Sequence, residues 1–213
     1  MPGTKAPEAE RREQILAAAY DVAAQEGLEG TTIMQVALAA GLSPGLVMFH
    51  FKSKRLLLLA LLDRLLRTTT VLHVGAEIHA LSSPVDRWIA LLRQEMHRLS
   101  HDPLRIRLMF DFWSAGIRDL EIRERLRDEF KRYRQAFQPM AAAVLDVLPE
   151  RFAGVTAEGL AGVGVSFIKG CAVQSMIEPE DFDIGEYLAA VEGVLLQIYA
   201  GSRSALLSGK ATT

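Results

Sequence analysis

Apolar residues recur along this chain at spacings of three and four, and no stretch alternates as a strand would. That period belongs to the α-helix, whose side chains return to the same face every 3.6 residues. Ile15, Ala18, Ala19, Val22 and Ala23 form one stripe between Glu8 and Glu26, and Gly27 and Gly30 stop it. Ile33, Val36, Ala37 and Ala40 form a second, shorter stripe in IMQVALAA. The hydroxyls of Thr31 and Thr32 open it, and Gly41 closes it as a residue able to take the left-handed conformation. Ser43 is an N-cap followed by Pro44 at the first helical position, where a missing N–H costs nothing, so a third helix runs to about His50.

Ser53 caps a longer segment from Lys54 to about Ala80, with a bend expected at the β-branched run Thr68 to Val71. Ser83-Pro84 opens a helix reaching His101, and Asp102-Pro103 opens one reaching about Ala115. Asp119 to Leu148 reads as a long charged helix, Thr156 to Ile177 as a small-residue helix, and Phe182 or Ile184 to Leu207 as the last. The expected fold is all-α with about nine helices. A three-helix domain over residues 8–54, with its pair of short helices at about 32–51, precedes a larger helical domain over 55–207. Residues 1–7 and 208–213 are expected to be disordered tails.

Composition narrows the class. Half of the 213 residues are hydrophobic, enough for a sizeable core, and the formal charge of −2 gives no global attraction to polyanions. A nucleic-acid site must therefore be a local patch. The single cysteine, Cys171, cannot form an internal disulfide, and MPGTKAPEAERREQ lacks the apolar core of a signal peptide, which points to the cytoplasm. The longest wholly apolar run, LLLLALL from Leu56 to Leu62, is far short of the roughly 20 residues a membrane span needs. No membrane partner is expected. Glycine-rich phosphate loops, zinc signatures and nucleophile elbows are missing from the sequence, and Cys171 lies in an apolar helix where a thiol is inert. Catalytic residues, cofactor and metal are accordingly not expected.

Two short helices joined by Ala40-Gly41-Leu42-Ser43 have the spacing of a helix-turn-helix, whose second helix enters the major groove. Ser43, Pro44, Gly45 and Leu46 make its leading end slim, and the free N–H groups there attract phosphate. Residues 30 to 55 carry three positive charges and no negative one. Lys52, Lys54 and Arg55 can thus neutralise backbone phosphates, which supplies affinity and position but no sequence information. The competing reading of the same residues is three capped core helices in a helical adaptor that binds only protein.

The run REQILAAAYDVAAQEGLEGTTIMQVALAAGLSPGLVMFHFKSKRLLLLALL, residues 12 to 62, resembles the TetR family of bacterial transcriptional regulators. The resemblance rests on the Thr-Thr pair, the alanine-rich second helix, G-L-S-x-G, and an aromatic followed by F-x-S-K. It implies that Thr32 is a phosphate-contacting cap, that Gln35, Ser43, Pro44, Gly45 and Leu46 face the groove, and that Lys54 binds phosphate. Met48 stands where family members commonly carry tyrosine, and His50 where an aromatic is usual; His50 retains a donor for phosphate. FWSAGIRDLEIRERLRDEFKRYRQAF (112 to 137) and IEPEDFD (177 to 183) are similar to the C-terminal domain of regulators of the BetI type. This implies a homodimer that binds a double-stranded operator and responds to a small-molecule effector, most simply as a repressor.

For an effector pocket the polar candidates are His97, Arg105, Tyr133, Lys169 and Gln174, with Met109, Phe110, Trp113, Phe137 and Phe167 among the apolar ones. Aromatics at helical spacing are more often the mark of plain core. His97 and His101 share the four-residue spacing of two metal ligands, yet no third ligand accompanies them in sequence. Gly159, Gly162, Ser166 and Gly170 form a nearly side-chain-free strip. Glycine costs about 1 kcal/mol in a helix relative to alanine, so the strip implies close helix–helix approach. Its partner is the last helix, with Ala190, Val194 and Ile198, either within the chain or across the dimer interface that the family resemblance implies.

Overall fold

The computed structural model describes residues 7–69 and 74–195. The expected tails (apart from Pro7), Ile198 and the last helix beyond residue 195 lie outside the described residues. Among those described there is no strand, and the helices are α1 (Glu8–Gly30), α2 (Ile33–Ala40), α3 (Pro44–Phe51), α4 (Lys54–Thr69), α5 (Ala76–Ala80), α6 (Pro84–Ser100), α7 (Pro103–Gly116), α8 (Leu120–Val147), α9 (Ala157–Ile177) and α10 (residues 184–195). The expected segment from Lys54 to Ala80 is two helices, not one. Gly75 is extended (φ −60°, ψ 148°) and precedes the separate five-residue α5. Helix α4 is described as far as Thr69, at the start of the β-branched run, and glycine, which loses most freedom on helix formation, stands before α5.

The residues pack as two compact units, one drawn from Met1–Val71 and Arg107–Glu129, the other from Leu72–Ile106 and Phe130–Thr213. Helix α4 thus goes with α1 to α3, and α7 and α8 each contribute to both units.

In the first unit α1 packs on α2 and α4, and α2 on α3. Ile15, Ala19, Val36, Ala37, Val47, Leu57, Leu61 and Leu62 are at most 1% exposed. Each large side chain so buried contributes roughly 1.5–3 kcal/mol of transfer free energy. Gly27 (φ 74°, ψ 171°) breaks α1, and one further turn carries the chain to Thr31, whose hydroxyl donates to the Gly27 carbonyl at 2.7 Å.

In the second unit α9 lies on α6 around Trp88, Leu91, Leu92, Met96, Tyr133, Phe137 and Ile168. The close approach is made by Gly164: a methyl group there would lie 2.7 Å from the Trp88 ring. By length and composition α9 is apolar enough to cross a membrane, but Leu160, Ala161, Val165, Ile168, Cys171 and Ala172 are buried within the unit, as in a core helix.

Candidate nucleic-acid interface

The geometry of the helix-turn-helix is set by three local devices. Thr32 caps α2, its hydroxyl oxygen accepting from the Gln35 N–H at 3.2 Å and donating to Gln35 Oε1 at 2.6 Å. This reciprocal cap also fixes the Gln35 side chain against the start of the helix. Gly41 ends α2 in the left-handed conformation (φ 66°, ψ 34°), and the Leu42 N–H returns to the Ala37 carbonyl at 2.9 Å. Ser43 then caps α3 by accepting from the Leu46 N–H at 3.2 Å, with Pro44 at the first position. The turn bends α2 and α3 by 108°, within the range of a helix-turn-helix.

Only Val47 and Phe51 of α3 are fully buried, so the helix is seated by two side chains and keeps the rest of its surface open. Ser43, Pro44 and Gly45 are exposed, Leu46 is half-buried, and Gln35 is exposed on α2. Two residues that the sequence reading did not name position this pair from α1. Arg12 donates to the His50 carbonyl at 2.6 Å and stacks 4.3 Å from the Phe51 ring, and Gln14 donates to the Ala40 carbonyl at 2.8 Å. Both satisfy carbonyls at helix C-termini that have no partner within their own helix. The signal was faint: polar residues on the outer edge of an apolar stripe are ordinarily solvated.

The basic residues differ in their surroundings. Lys52 is exposed, takes φ 61° just past α3, and holds its ammonium 4.8 Å from the Phe49 ring centroid. Lys54 is half-buried and donates to the Glu29 carbonyl at 2.7 Å. Arg55 is held by Asp119 and Glu121, both in the same unit. Those hydrogen bonds raise the arginine pKa further, and the Arg55 guanidinium in turn lowers the Asp119 carboxyl from 3.8 to about 2, assisted by backbone N–H groups. His50 is half-buried, and its Nδ1 meets no hydrogen-bond partner among the described residues.

The expected pocket residues fall in different units. His97, Arg105, Tyr133, Phe137, Phe167 and Gln174 belong to the second; Met109, Phe110 and Trp113 belong to the first. His97 lines a cavity of about 500 Å³ with Gly75, Gln94, Arg98 and His101. Phe167 lines another of about 730 Å³ with Phe130, Arg134, Lys169, Gly159 and Gly162. Tyr133 and Phe137 are core, their rings 5.2 Å apart, while Gln174 is exposed and Arg105 half-buried. His101 Nδ1 lies 2.6 Å from the His97 carbonyl, and among the described residues no group of three His, Cys, Asp or Glu is placed to hold a metal.

Of the polar centre of the second unit, only Tyr133 was named from sequence. Glu95 is fully buried, accepts from the Tyr133 hydroxyl at 2.7 Å, and is ion-paired with Arg98. Burial and then the Glu95 charge push the Tyr133 pKa up. Burial alone would lower that of Arg98, but the bonds to Glu95 outweigh it. A signal existed in sequence, since Glu95 falls on the same face of α6 as Trp88, Leu91, Leu92 and Leu99. On α9, Gly159 and Ser166 are exposed and Gly162 and Gly170 half-buried, and Ala190 and Val194 of α10 are exposed.

A capped, outward-facing helix-turn-helix followed by further α-helices defines a class, the helix-turn-helix transcriptional regulators. Residues 15–61 match the family of bacterial regulatory proteins, tetR family, and residues 84–199 match the BetI-type transcriptional repressor, C-terminal domain. The chain belongs to the TetR family, with a C-terminal domain of the BetI type. It is 30% identical over 186 residues to an HTH-type transcriptional regulator of Xanthobacter autotrophicus, covering 85% of this chain and 88% of that one. It is 25% identical to the regulator BetI of Serratia proteamaculans, covering 84% and 87%. Its fold is shared with a transcriptional regulator from Saccharomonospora viridis solved in complex with choline (TM-score 0.69, 20% identity, 87% of this chain and 95% of that one). A TetR regulator from Haloarcula marismortui has it too (TM-score 0.68, 20% identity, 89% and 96%). The protein is a helix-turn-helix transcriptional regulator of this family.

Proposed function

We propose that two copies of this chain bind one pseudo-palindromic operator, each laying the N-terminal end of α3 in a major groove, and that an effector bound in the second unit changes that affinity. The observation that carries the reading is the seating of α3: two buried anchors, a cap at Ser43, and a leading end of Pro44 and Gly45 left in solvent. Thr32, Lys52, Lys54 and His50 are assigned to phosphate, and Gln35, Ser43, Pro44, Gly45 and Leu46 to the groove. Two-fold symmetry then places the α3 helices about 34–36 Å apart, one turn of DNA. Dimerisation is assigned to the open face of α9, Gly159, Gly162, Ser166 and Gly170, with Ala190 and Val194 of α10 and with Ile198 beyond the described residues.

For the effector, polar groups in the second unit include those around Glu95, Arg98 and Tyr133, the cavity beside His97, and the cavity beside Arg134 and Lys169. The effector acts through its different affinity for the two states, typically about 1–3 kcal/mol of coupling. The reading places the protein in the cytoplasm.

The test is binding, by fluorescence anisotropy, to duplexes flanking the protein's own gene, over a range of salt and with a panel of small molecules that begins with choline. Tight binding by two chains per duplex, falling steeply with salt, is expected. Failure to bind any duplex at low ionic strength, with binding to protein partners instead, would establish the helical adaptor. A panel in which no compound changes DNA affinity removes the effector part alone.

A further inference from the structure

We propose that α3 selects its operator by apolar contact between Met48 and Phe49 and the 5-methyl groups of thymine, rather than by side-chain hydrogen bonds to base edges. The inference rests on the operator-binding reading above and names what the groove-facing helix recognises. The octapeptide PGLVMFHF contains no Arg, Lys, Asn, Gln, Asp or Glu. Those six side chains carry the donor and acceptor patterns that single out guanine, adenine and cytosine in the major groove. Histidine is the one polar side chain in the helix. It is half-buried, its Nδ1 is enclosed by protein, and its ring meets Phe49 edge-on at 5.2 Å. The Ser43 oxygen accepts from the Leu46 N–H, which ties this short side chain to the helix start.

What α3 offers outward is therefore apolar. Met48 is 39% exposed and Phe49 65% exposed, in a stretch that carries positive charge and no acid. The thymine methyl is the apolar group that a base pair presents in the major groove, and a phenyl ring or a thioether is a fitting surface for it. The Phe49 ring meets His50 edge-on and lies 4.8 Å from the Lys52 ammonium, and the rest of its face is open to solvent. Hydrogen-bonded readout is left to Gln35 of α2, whose amide Thr32 orients.

The experiment starts with operators selected from random duplexes by the full-length protein, and then replaces each thymine by deoxyuridine, which removes only the methyl group. At one or two positions per half-site the affinity is expected to drop about fourfold for each methyl removed, the worth of one buried group of that size. Phe49→Ala or Met48→Ala is expected to weaken binding to the thymine operator and to abolish the deoxyuridine penalty at its own position. Lys54→Ala should weaken both operators equally and leave the penalty intact. Both side chains are exposed, and circular dichroism verifies that the variants fold. Deoxyuridine duplexes bound as tightly as thymine ones at every position would overturn the inference, as would a full penalty surviving in both apolar variants. The operator-binding reading would survive either result. A selection that enriches no duplex at all refutes that reading, and this inference with it.

Discussion

The carboxylate of Asp119 is shared between Arg55, in the first turn of α4, and the N–H groups of Glu121 and Ile122, at 3.0 and 3.2 Å in the first turn of α8. One side chain thus both starts α8 and fastens the beginning of α4. Arg125 adds a second tie, donating to Asp63 of α4 at 3.0 Å and to Glu121 at 3.1 Å. Asp119→Asn keeps a cap and loses the charge, whereas Asp119→Ala loses both, so melting temperatures should fall in that order. The folded-state pKa of Asp119 lies near 2, below its usual 3.8. Its contribution is therefore fully present above about pH 4 and disappears as the pH falls through 2. Thermal melts of wild type and Asp119→Asn from pH 5 to pH 2 should converge at the acid end.

Two glycines of the helix-turn-helix are expected to respond to alanine with opposite signs. A methyl group meets nothing within 4 Å at either Gly41 or Gly45. At Gly41, with φ 66°, the backbone itself is strained by a side chain, at a cost of about 1–2 kcal/mol. At Gly45, inside α3, alanine should stabilise by about 0.5–1 kcal/mol. If DNA approaches that face closely, Gly45→Ala weakens operator binding while raising the urea midpoint. Both quantities measured on one preparation check the prediction.

Tyr133→Phe removes a donor from a fully buried carboxylate and is expected to cost about 1–3 kcal/mol in urea unfolding. Arg98→Ala leaves Glu95 without its cation. Because Arg98 is about one-third exposed, the loss should fall at the lower end of the roughly 3–5 kcal/mol seen for buried pairs. The raised Tyr133 pKa adds a pH signature: the folded state holds the phenolic proton above pH 10, where the unfolded chain releases it, so stability declines as pH rises beyond 10. Tyr133→Phe should flatten that decline.

On α9, Gly164→Ala forces a methyl group into the Trp88 ring and should destabilise the monomeric fold by about 1–3 kcal/mol. Gly162→Ala faces outward, with Arg134 Cδ at 3.6 Å, and should leave the fold as stable or more so. Weakened self-association of Gly162→Ala in analytical ultracentrifugation would place the dimer contact on that face. An unchanged dimer would remove it.

Lys54→Ala is expected to reduce affinity by a similar factor for all duplexes and to lower the salt slope by about one, while Gln35→Ala changes the ranking among operators. Lys54 also donates to the Glu29 carbonyl, so the melting temperature of Lys54→Ala must be read beside its DNA affinity. Equal loss of sequence preference in both variants would contradict the division of roles.

The helix-turn-helix was readable because its determinants lie three or four residues apart. Thr32 with Gln35, Ser43 with Leu46, and Gly41 at a forced positive φ are local bonds and local sterics, and sequence order places them. The long segment after Lys54 was partly legible: the expected bend at Thr68 to Val71 coincides with the end of the described part of α4, whereas the second break, at Gly75 before α5, was not anticipated. Helical periodicity gives the face of a residue but not the body that covers it: Met109, Phe110 and Trp113 of α7 fall in the first unit, and the other expected pocket residues in the second.

By itself the sequence determined the all-α class, the capped pair of short helices and the membership of the TetR family, because periodicity, caps and turn residues act over a single helical turn. Tertiary structure alone decided that Arg55 would meet Asp119, 64 positions away, that Tyr133 would satisfy Glu95 across 38, and that Gly164 rather than its neighbours would admit Trp88. Burial and charge pairing depend on which surfaces meet in space. No local pattern encodes that meeting.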